Sequence, residues 1–139
     1  MSMPPNRLLP RSAEMWSQDL GADVVVYDRT GSTNTPAYCI VAKRNGDVEF
    51  NCAENHARSL PPMQKSISSP VMVAKLFADL DKSWPITTAP KMVAKSASFG
   101  TRSYISYKGT HTADLQALFD DASAVQLDAD FADLKKAVE

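Results

Sequence analysis

The sequence predicts an α+β domain, in which an antiparallel sheet of about five strands carries helices mainly on one face. Short runs rich in β-branched or alternating residues recur along the chain, and tight-turn signals join them in pairs, as in β-hairpins. An apolar stripe with i, i+3, i+4 spacing at 72–84 indicates a helix that covers the sheet. Since 139 residues can bury a core without a metal or a disulfide, we expect residues 12–139 to form a single domain.

The N-terminal segment mixes prolines with arginines and contains no long apolar run. Residues 1–11 hold three prolines and two arginines, a composition that favours a flexible arm. Ser12 is placed to cap a helix over 13–20, in which Trp16 and Leu20 share a face and which Gly21 ends. The Asp-Val-Val-Val-Tyr run at 23–27 is typical of a strand.

The two cysteines of the chain lie symmetrically about an Asn45-Gly46 dipeptide. Asn-Gly favours a two-residue hairpin loop, and this loop places Cys39 directly opposite Cys52. In that register one apolar face points inward, made of Cys39, Val41, Val48, Phe50 and Cys52. Either two buried thiols or a cross-strand disulfide between Cys39 and Cys52 fits this pattern, and the sequence leaves both open.

Residues 53–68 show no periodicity and contain a Pro-Pro pair, so we expect a long loop. The next segment predicts the clearest helix of the chain, with Ser69 as its cap and Pro70 in its first turn. The stripe facing the sheet consists of Met72, Val73, Leu76, Phe77, Leu80 and Trp84. Pro85 ends this helix.

A second hairpin is predicted from strands at 91–98 and 103–108 with a turn at Gly100-Thr101. In this register Ser98 pairs with Ser103 and Ser96 pairs with Ile105. Two helices follow, one capped by Thr112 and one capped by Asp128, and in the second Phe131, Leu134 and Val138 are expected to face the core. A single bent helix is the alternative.

Charge is distributed unevenly over the second half of the chain. Residues 82–112 contain five basic residues and no acidic residue, whereas residues 113–139 carry a net charge of −5. In the predicted second hairpin one face interleaves cations with aromatic rings, a pattern that binds anions or stacks on bases. The candidate ligand-binding residues are therefore Lys91, Lys95, Arg102, Tyr104, Lys108 and His111. A solvated face, neutralised by the acidic C-terminal segment within the fold or across a homodimer, is the competing interpretation.

Catalytic and metal-binding patterns are sparse. His56 and His111 are the two histidines, and with two inward cysteines they do not make a metal-binding motif, so we expect no metal and no cofactor. A hydrolase-like enzyme would have to use His56 or His111 with a carboxylate. The net charge of −1 and the lack of a long apolar run disfavour nucleic acid and membrane partners.

The leading hypothesis is a small non-enzymatic domain that binds a ligand or a protein, using the face near residues 91–114. An enzyme and a self-associating structural protein are the alternatives, and a small anionic ligand or a second copy are the candidate partners. The composition predicts a cytoplasmic location; secretion would require a signal peptide that has been removed.

Overall fold

A computed structural model of the chain describes residues 21–31, 36–54, 59–90 and 102–139. Its strands are β1 (Val24–Arg29), β2 (Tyr38–Lys43), β3 (Asp47–Cys52), β4 (Met63–Ser68), β5 (Ser103–Tyr107) and β6 (Thr110–His111). Its α-helices are α1 (Pro70–Ser83) and α2 (Ala122–Val138), and 3-10 helices cover Gly21–Asp23 and Leu115–Leu118. Within the described ranges the strands form a six-stranded antiparallel sheet in the order β4–β3–β2–β1–β5–β6. The predicted α+β class is confirmed.

Both described α-helices pack on the same side of the sheet, which we call the helix-covered face. Side chains alternate between the two faces along each strand, so every second strand residue meets the helices. The main buried cluster combines these strand residues with helix residues and includes Tyr27, Ile40, Phe50, Ile105, Leu76, Leu80, Phe131 and Leu134. A smaller apolar cluster of Val26, Cys39 and Val41 lies on the opposite face.

Helix α1 follows the predicted apolar stripe. Its buried residues are Val73, Leu76, Phe77 and Leu80, and Pro70 occupies the first turn, where its missing N–H costs nothing. Ser69 is the N-cap residue of this helix, as predicted, but its side chain makes no capping hydrogen bond to the first turn. The Trp84 N–H donates to the Leu80 carbonyl at 2.7 Å, and the chain then leaves the helix.

The register predicted for the first hairpin is wrong by one residue. Tyr38, not Cys39, pairs with Cys52, and Cys39 pairs with Asn51. The loop contains three residues rather than two, because the Gly46 N–H donates to the Lys43 carbonyl at 2.8 Å and Gly46 has a φ of 106°. This geometry corresponds to a turn followed by a left-handed glycine, the common three-residue hairpin loop.

The shifted register separates the two cysteines. Cys52 lies on the helix-covered face and Cys39 on the opposite face, and both are buried free thiols. The predicted cross-strand pair and the disulfide built on it are therefore corrected, since two side chains on opposite faces of a sheet cannot be joined.

The predicted loop at 53–68 contains strand β4, which pairs with β3 from Cys52↔Met63 to Asp47↔Ser68. Five of its six residues are exposed and Ile67 is half-buried. An exposed edge strand needs no alternating apolar pattern, because its backbone hydrogen bonds hold it in place. The sequence Met-Gln-Lys-Ser-Ile-Ser therefore carried no strand signal.

Of the second predicted hairpin, the strand at 91–98 and the turn at Gly100-Thr101 lie outside the described residues, and the other strand is β5. Strand β5 has β1 on one side, where Ile105 pairs with Tyr27, and β6 on the other. The Ile105 carbonyl also accepts from the Thr112 N–H at 2.9 Å, so Thr112 continues the hydrogen bonding on the β6 side of β5. Both edges of β5 are thus used by described residues.

The C-terminal segment begins its helices at different residues from those predicted. Asp114 Oδ1 caps the 3-10 helix by accepting from the Gln116 N–H at 3.1 Å, in place of Thr112. Asp121 caps α2 by accepting from the Ala124 N–H at 3.0 Å, in place of Asp128. Asp128 lies inside α2, and Phe131, Leu134 and Val138 face the core as predicted.

An ionic cluster joins the two α-helices. Lys75 Nζ lies 2.7 Å from Asp130 Oδ1 and 3.0 Å from Asp79 Oδ2. Burial, reinforced by the nearby Asp79 carboxylate, raises the pKa of Asp130, whereas hydrogen bonding lowers that of Asp79. Lys75 thus neutralises a pair of carboxyl groups that would otherwise repel each other across the helix–helix contact.

Neither described helix combines the length and apolarity needed to cross a bilayer. The predicted flexible arm at 1–11 and the helix at 13–20 lie outside the described residues, and the assignment of 12–139 to one domain stays a prediction.

Candidate functional site

A groove of about 350 Å³ opens on the helix-covered face, between the β2–β3–β4 side of the sheet and the end of α2. We call it the Tyr38 groove. Its strand side is formed by Tyr38, Phe50, Cys52, Met63 and Lys65. The Tyr38 and Phe50 rings lie 5.5 Å apart, centroid to centroid, and form its aromatic floor. Volume and lining both fit the usual small-ligand or side-chain pocket.

The other side of the Tyr38 groove is formed by Pro36 and by three residues at the end of α2, namely Lys135, Val138 and Glu139. Lys135 Nζ lies 3.1 Å from Glu139 Oε2 and 5.4 Å from the centre of the Tyr38 ring. Lys65 Nζ donates to the backbone oxygen of Glu139 at 3.5 Å. The groove therefore has an apolar body and two cations at its rim, one of which is paired with a carboxylate.

The thiol of Cys52 forms part of the groove wall. Burial raises the pKa of Cys52, although nearby Lys135 acts in the opposite direction. The Sγ–H donates to the Ala53 carbonyl at 3.6 Å. A thiol with a raised pKa is mostly protonated at neutral pH and is a poor nucleophile.

A buried hydrogen-bond network supports the floor of the groove. The Tyr27 ring lies 6.1 Å from the Tyr38 ring and stacks on Phe131 at 4.8 Å. The Tyr27 hydroxyl donates to Asp128 Oδ1 at 2.8 Å, and Arg29 Nη1 donates to that hydroxyl at 3.4 Å. Burial raises the pKa of Tyr27, so it remains a hydrogen-bond donor at physiological pH. This network fixes α2 against the sheet where the groove begins.

The predicted basic-aromatic face is divided among several places. Arg102 is exposed just before β5 and Lys108 is exposed just after it, so about 20 Å of extended chain separates them. Lys108 Nζ lies 4.0 Å from Asp81 Oδ1 and 5.3 Å from the Tyr107 ring centre. Lys108 therefore belongs to a charge cluster at the end of α1 and not to a surface shared with Arg102.

That charge cluster is centred on Arg44 of the hairpin loop. Arg44 Nη2 donates to the Tyr107 hydroxyl at 2.7 Å, and this hydroxyl donates to Asp81 Oδ1 at 2.6 Å. The Arg44 guanidinium also lies 4.3 Å above the Phe77 ring. Hydrogen bonds from Tyr107 and Arg44 hold the pKa of Asp81 below its usual range. The cluster ties the hairpin loop to α1 and β5 and has a structural role.

Tyr104 and His111 do share a face, the one opposite the helices. Tyr104 pairs with Asp28 and His111 pairs with Ser106, two residues further along β5. Tyr104 is half-buried and His111 is exposed, with its Nδ1 3.0 Å from the Thr112 oxygen. Asp114, three residues after His111 in the sequence, accepts hydrogen bonds from the backbone N–H groups of Ser103 and Gln116.

The same face contains a desolvated carboxyl group. Asp28 is 9% exposed and pairs with Cys39 on β2, which in turn pairs with Asn51 on β3. Burial raises the pKa of Asp28 to about 6. Among the described residues, nothing donates a hydrogen bond to this carboxylate, so its ionisation opposes folding at neutral pH.

Lys91, Lys95 and His56 lie outside the described residues, so their assigned roles stay predictions. Sequence reasoning missed Tyr38, Met63 and Lys65 as groove residues. The alternation of β3, which correctly placed Phe50 and Cys52 on one inward face, was the one available signal.

The described residues contain no group of three or more His, Cys, Asp or Glu side chains placed to hold a metal ion. Comparison of the chain with protein-family models, with curated protein sequences and with solved structures found no match. The class of protein is therefore inferred from the fold and the groove alone.

Proposed function

We propose that this protein is a small non-enzymatic binding domain whose ligand occupies the Tyr38 groove. The observation that carries the proposal is the groove itself, an aromatic-floored hollow of about 350 Å³ beside the exposed Lys65 and the half-buried Lys135. Burying an apolar group against Tyr38 and Phe50 supplies affinity at roughly 25 cal/mol per Å² of apolar surface removed from water. The raised pKa of Cys52 argues against nucleophilic chemistry in the groove.

The rim charges favour a ligand with an anionic group. Lys65 is exposed and lies 3.5 Å from the main-chain oxygen of Glu139, whereas the half-buried Lys135 lies 3.1 Å from the side-chain carboxylate of Glu139. A ligand anion would gain most beside Lys65, and would compete with Glu139 for Lys135. The ligand class is therefore amphiphilic, with an apolar body for the groove and a carboxylate or similar group for Lys65.

Octanoate and octanol test this proposal, because they share an apolar chain and differ in head-group charge. We expect octanoate to bind about fivefold more tightly than octanol, as one exposed charge pair contributes up to ~1 kcal/mol. Lys65→Gln should abolish this preference, and Glu139→Gln should enlarge it by freeing Lys135. Isothermal titration calorimetry of both ligands with each variant gives the comparison.

Lys136→Gln is the matched control, since Lys136 is exposed on α2 and is not part of the groove lining. It should keep the wild-type preference for octanoate. Failure of both ligands to bind, or an equal loss of preference in the Lys65 and Lys136 variants, would contradict a site in the Tyr38 groove.

A further inference from the structure

Strand β4 is the edge of the described sheet and borders the Tyr38 groove. In the sheet order it has β3 as its neighbour and ends the row. Its residues are exposed apart from the half-buried Ile67. An edge strand presents backbone N–H and C=O groups that an added extended chain can use.

One hydrogen bond determines which β4 residues present these groups. The Ser69 N–H donates to the Gly46 carbonyl at 2.8 Å. Gly46 and Ser69 therefore form a hydrogen-bonded pair, one step beyond the pair Asp47↔Ser68 at the end of the β3–β4 ladder. Because such pairs alternate along an antiparallel ladder, Met63, Lys65 and Ile67 direct their backbone groups toward β3. Gln64, Ser66 and Ser68 then direct their backbone groups away from the sheet.

The side chains of β4 connect this edge to the groove. Met63 and Lys65 line the Tyr38 groove, whereas the alternate residues face the other side. A strand added along β4 would lie about 4.8 Å from it. A side chain of that strand standing next to Met63 would therefore reach the groove, and one standing next to Lys65 would meet its ammonium group.

We propose that β4 and the Tyr38 groove together dock an extended peptide segment of a partner protein. The segment adds as a strand on the outer edge of β4, inserts one large apolar side chain into the groove and places a carboxylate beside Lys65. Backbone hydrogen bonds to Gln64 and Ser66 provide affinity and the groove provides specificity, as in other β-strand additions. The inference rests on the proposed function and narrows its ligand class to an acidic, strand-forming peptide.

The charge on Lys65 favours this occupant over a second copy of the chain. A lysine on an edge strand disfavours pairing with an identical edge, because two such strands bring like charges together. An acidic strand gains an ion pair at the same position. The partner is therefore expected to be a different chain rather than another β4.

Four acetylated heptapeptides, Thr-Val-Thr-Glu-Thr-X-Thr with X as Leu, Met, Phe or Trp, are suitable probes, because antiparallel addition to β4 then places Glu beside Lys65 and X beside Met63. Their alternation puts X and Glu on the same face, two residues apart, as the groove and Lys65 require. We expect at least one to bind the full chain in a fluorescence anisotropy titration. Methylating the backbone nitrogens of the two threonines that flank Glu, which lie opposite Ser66 and Gln64, should lower the affinity of that peptide about tenfold or more, since the edge hydrogen bonds are lost.

Ser66→Pro removes an outward N–H while leaving the β3–β4 ladder intact, and Ser66→Ala is its matched control. The affinity of the proline variant for the peptide should fall about tenfold or more, whereas that of the alanine variant should stay within about twofold of wild type. Both variants should bind octanoate with the wild-type affinity. Normal octanoate binding also shows that the proline variant is folded.

These outcomes separate the two proposals. If octanoate binds but none of the four peptides does, or if Ser66→Pro binds peptide as well as Ser66→Ala, the docking inference is overturned and the groove function stands. If neither octanoate nor peptide binds, both fail. If light scattering shows a dimer that Ser66→Pro dissociates, a second copy occupies the edge and the partner inference is overturned.

Discussion

Replacing Phe131 with alanine is expected to lower the free energy of unfolding by ~3–5 kcal/mol, the usual cost of removing a buried aromatic ring. Phe131 is fully buried in the main cluster and stacks on Tyr27 at 4.8 Å. Its loss would leave a cavity between α2 and the sheet and would loosen the support of Tyr38. Urea unfolding followed by circular dichroism measures the change.

Phe119 provides the matched control for this substitution, because it is 56% exposed. Phe119→Ala should change the free energy of unfolding by less than ~1 kcal/mol. Phe131→Leu, which retains most of the apolar volume, should fall between the two alanine variants. Equal effects of Phe131→Ala and Phe119→Ala would contradict the packing of α2 on the helix-covered face.

The second large effect is expected at Asp28, where substitution by asparagine should stabilise the protein at neutral pH. The carboxyl group has a pKa of about 6 because it is buried, whereas its value in the unfolded chain is about 4. The native state thus holds the proton more tightly than the unfolded state. The contribution of the Asp28 carboxyl group to the free energy of unfolding is complete below about pH 4 and is lost as the pH rises through 6.

The amide of an asparagine does not titrate. The free energy of unfolding of Asp28→Asn should therefore equal that of wild type near pH 4 and be ~2–3 kcal/mol higher at pH 7.5. Urea unfolding at a series of pH values from 4 to 8 gives this difference directly. Asp133→Asn, on the exposed side of α2, should change the free energy of unfolding by less than ~0.5 kcal/mol across the series. A difference between wild type and Asp28→Asn that does not grow with pH would contradict burial of this carboxylate.

The elements with strong local signals were predictable from the sequence. The stripe from Val73 to Leu80 predicts α1 because helical spacing and a first-turn proline act within one segment. The inward face of β3, with Phe50 and Cys52, follows from simple alternation. Val138 was correctly assigned to the core of the last helix.

The errors arose where pairing between segments decides the structure. A three-residue loop at Arg44–Gly46 differs from the two-residue loop by one residue, and that single step moves Cys39 to the opposite face. Strand β4 has no apolar alternation, since an edge strand exposed on both sides is held by its backbone hydrogen bonds to β3. The partner of β5 is β1, about 80 residues away in sequence, a distance at which no turn signal operates.

The candidate site was less predictable than the fold for the same reason. The Tyr38 groove brings together β2, β3, β4 and the end of α2, and part of its strand side comes from a segment that resembled a loop. The predicted basic-aromatic residues were selected by charge and spacing along one hairpin. Lys108 instead turns toward Asp81, because a nearby carboxylate offers it an ion pair.

Alkylation of Cys52 tests the central claim, that ligands occupy the Tyr38 groove, most directly. Cys52 lines the groove, whereas Cys39 is buried on the opposite face and serves as the internal reference. With iodoacetamide at mildly alkaline pH, saturating octanoate should slow modification of Cys52 about fivefold or more while leaving Cys39 unchanged, as measured by peptide mass spectrometry. Octanoate that binds without protecting Cys52, or that protects both cysteines equally, would contradict a binding site in the groove.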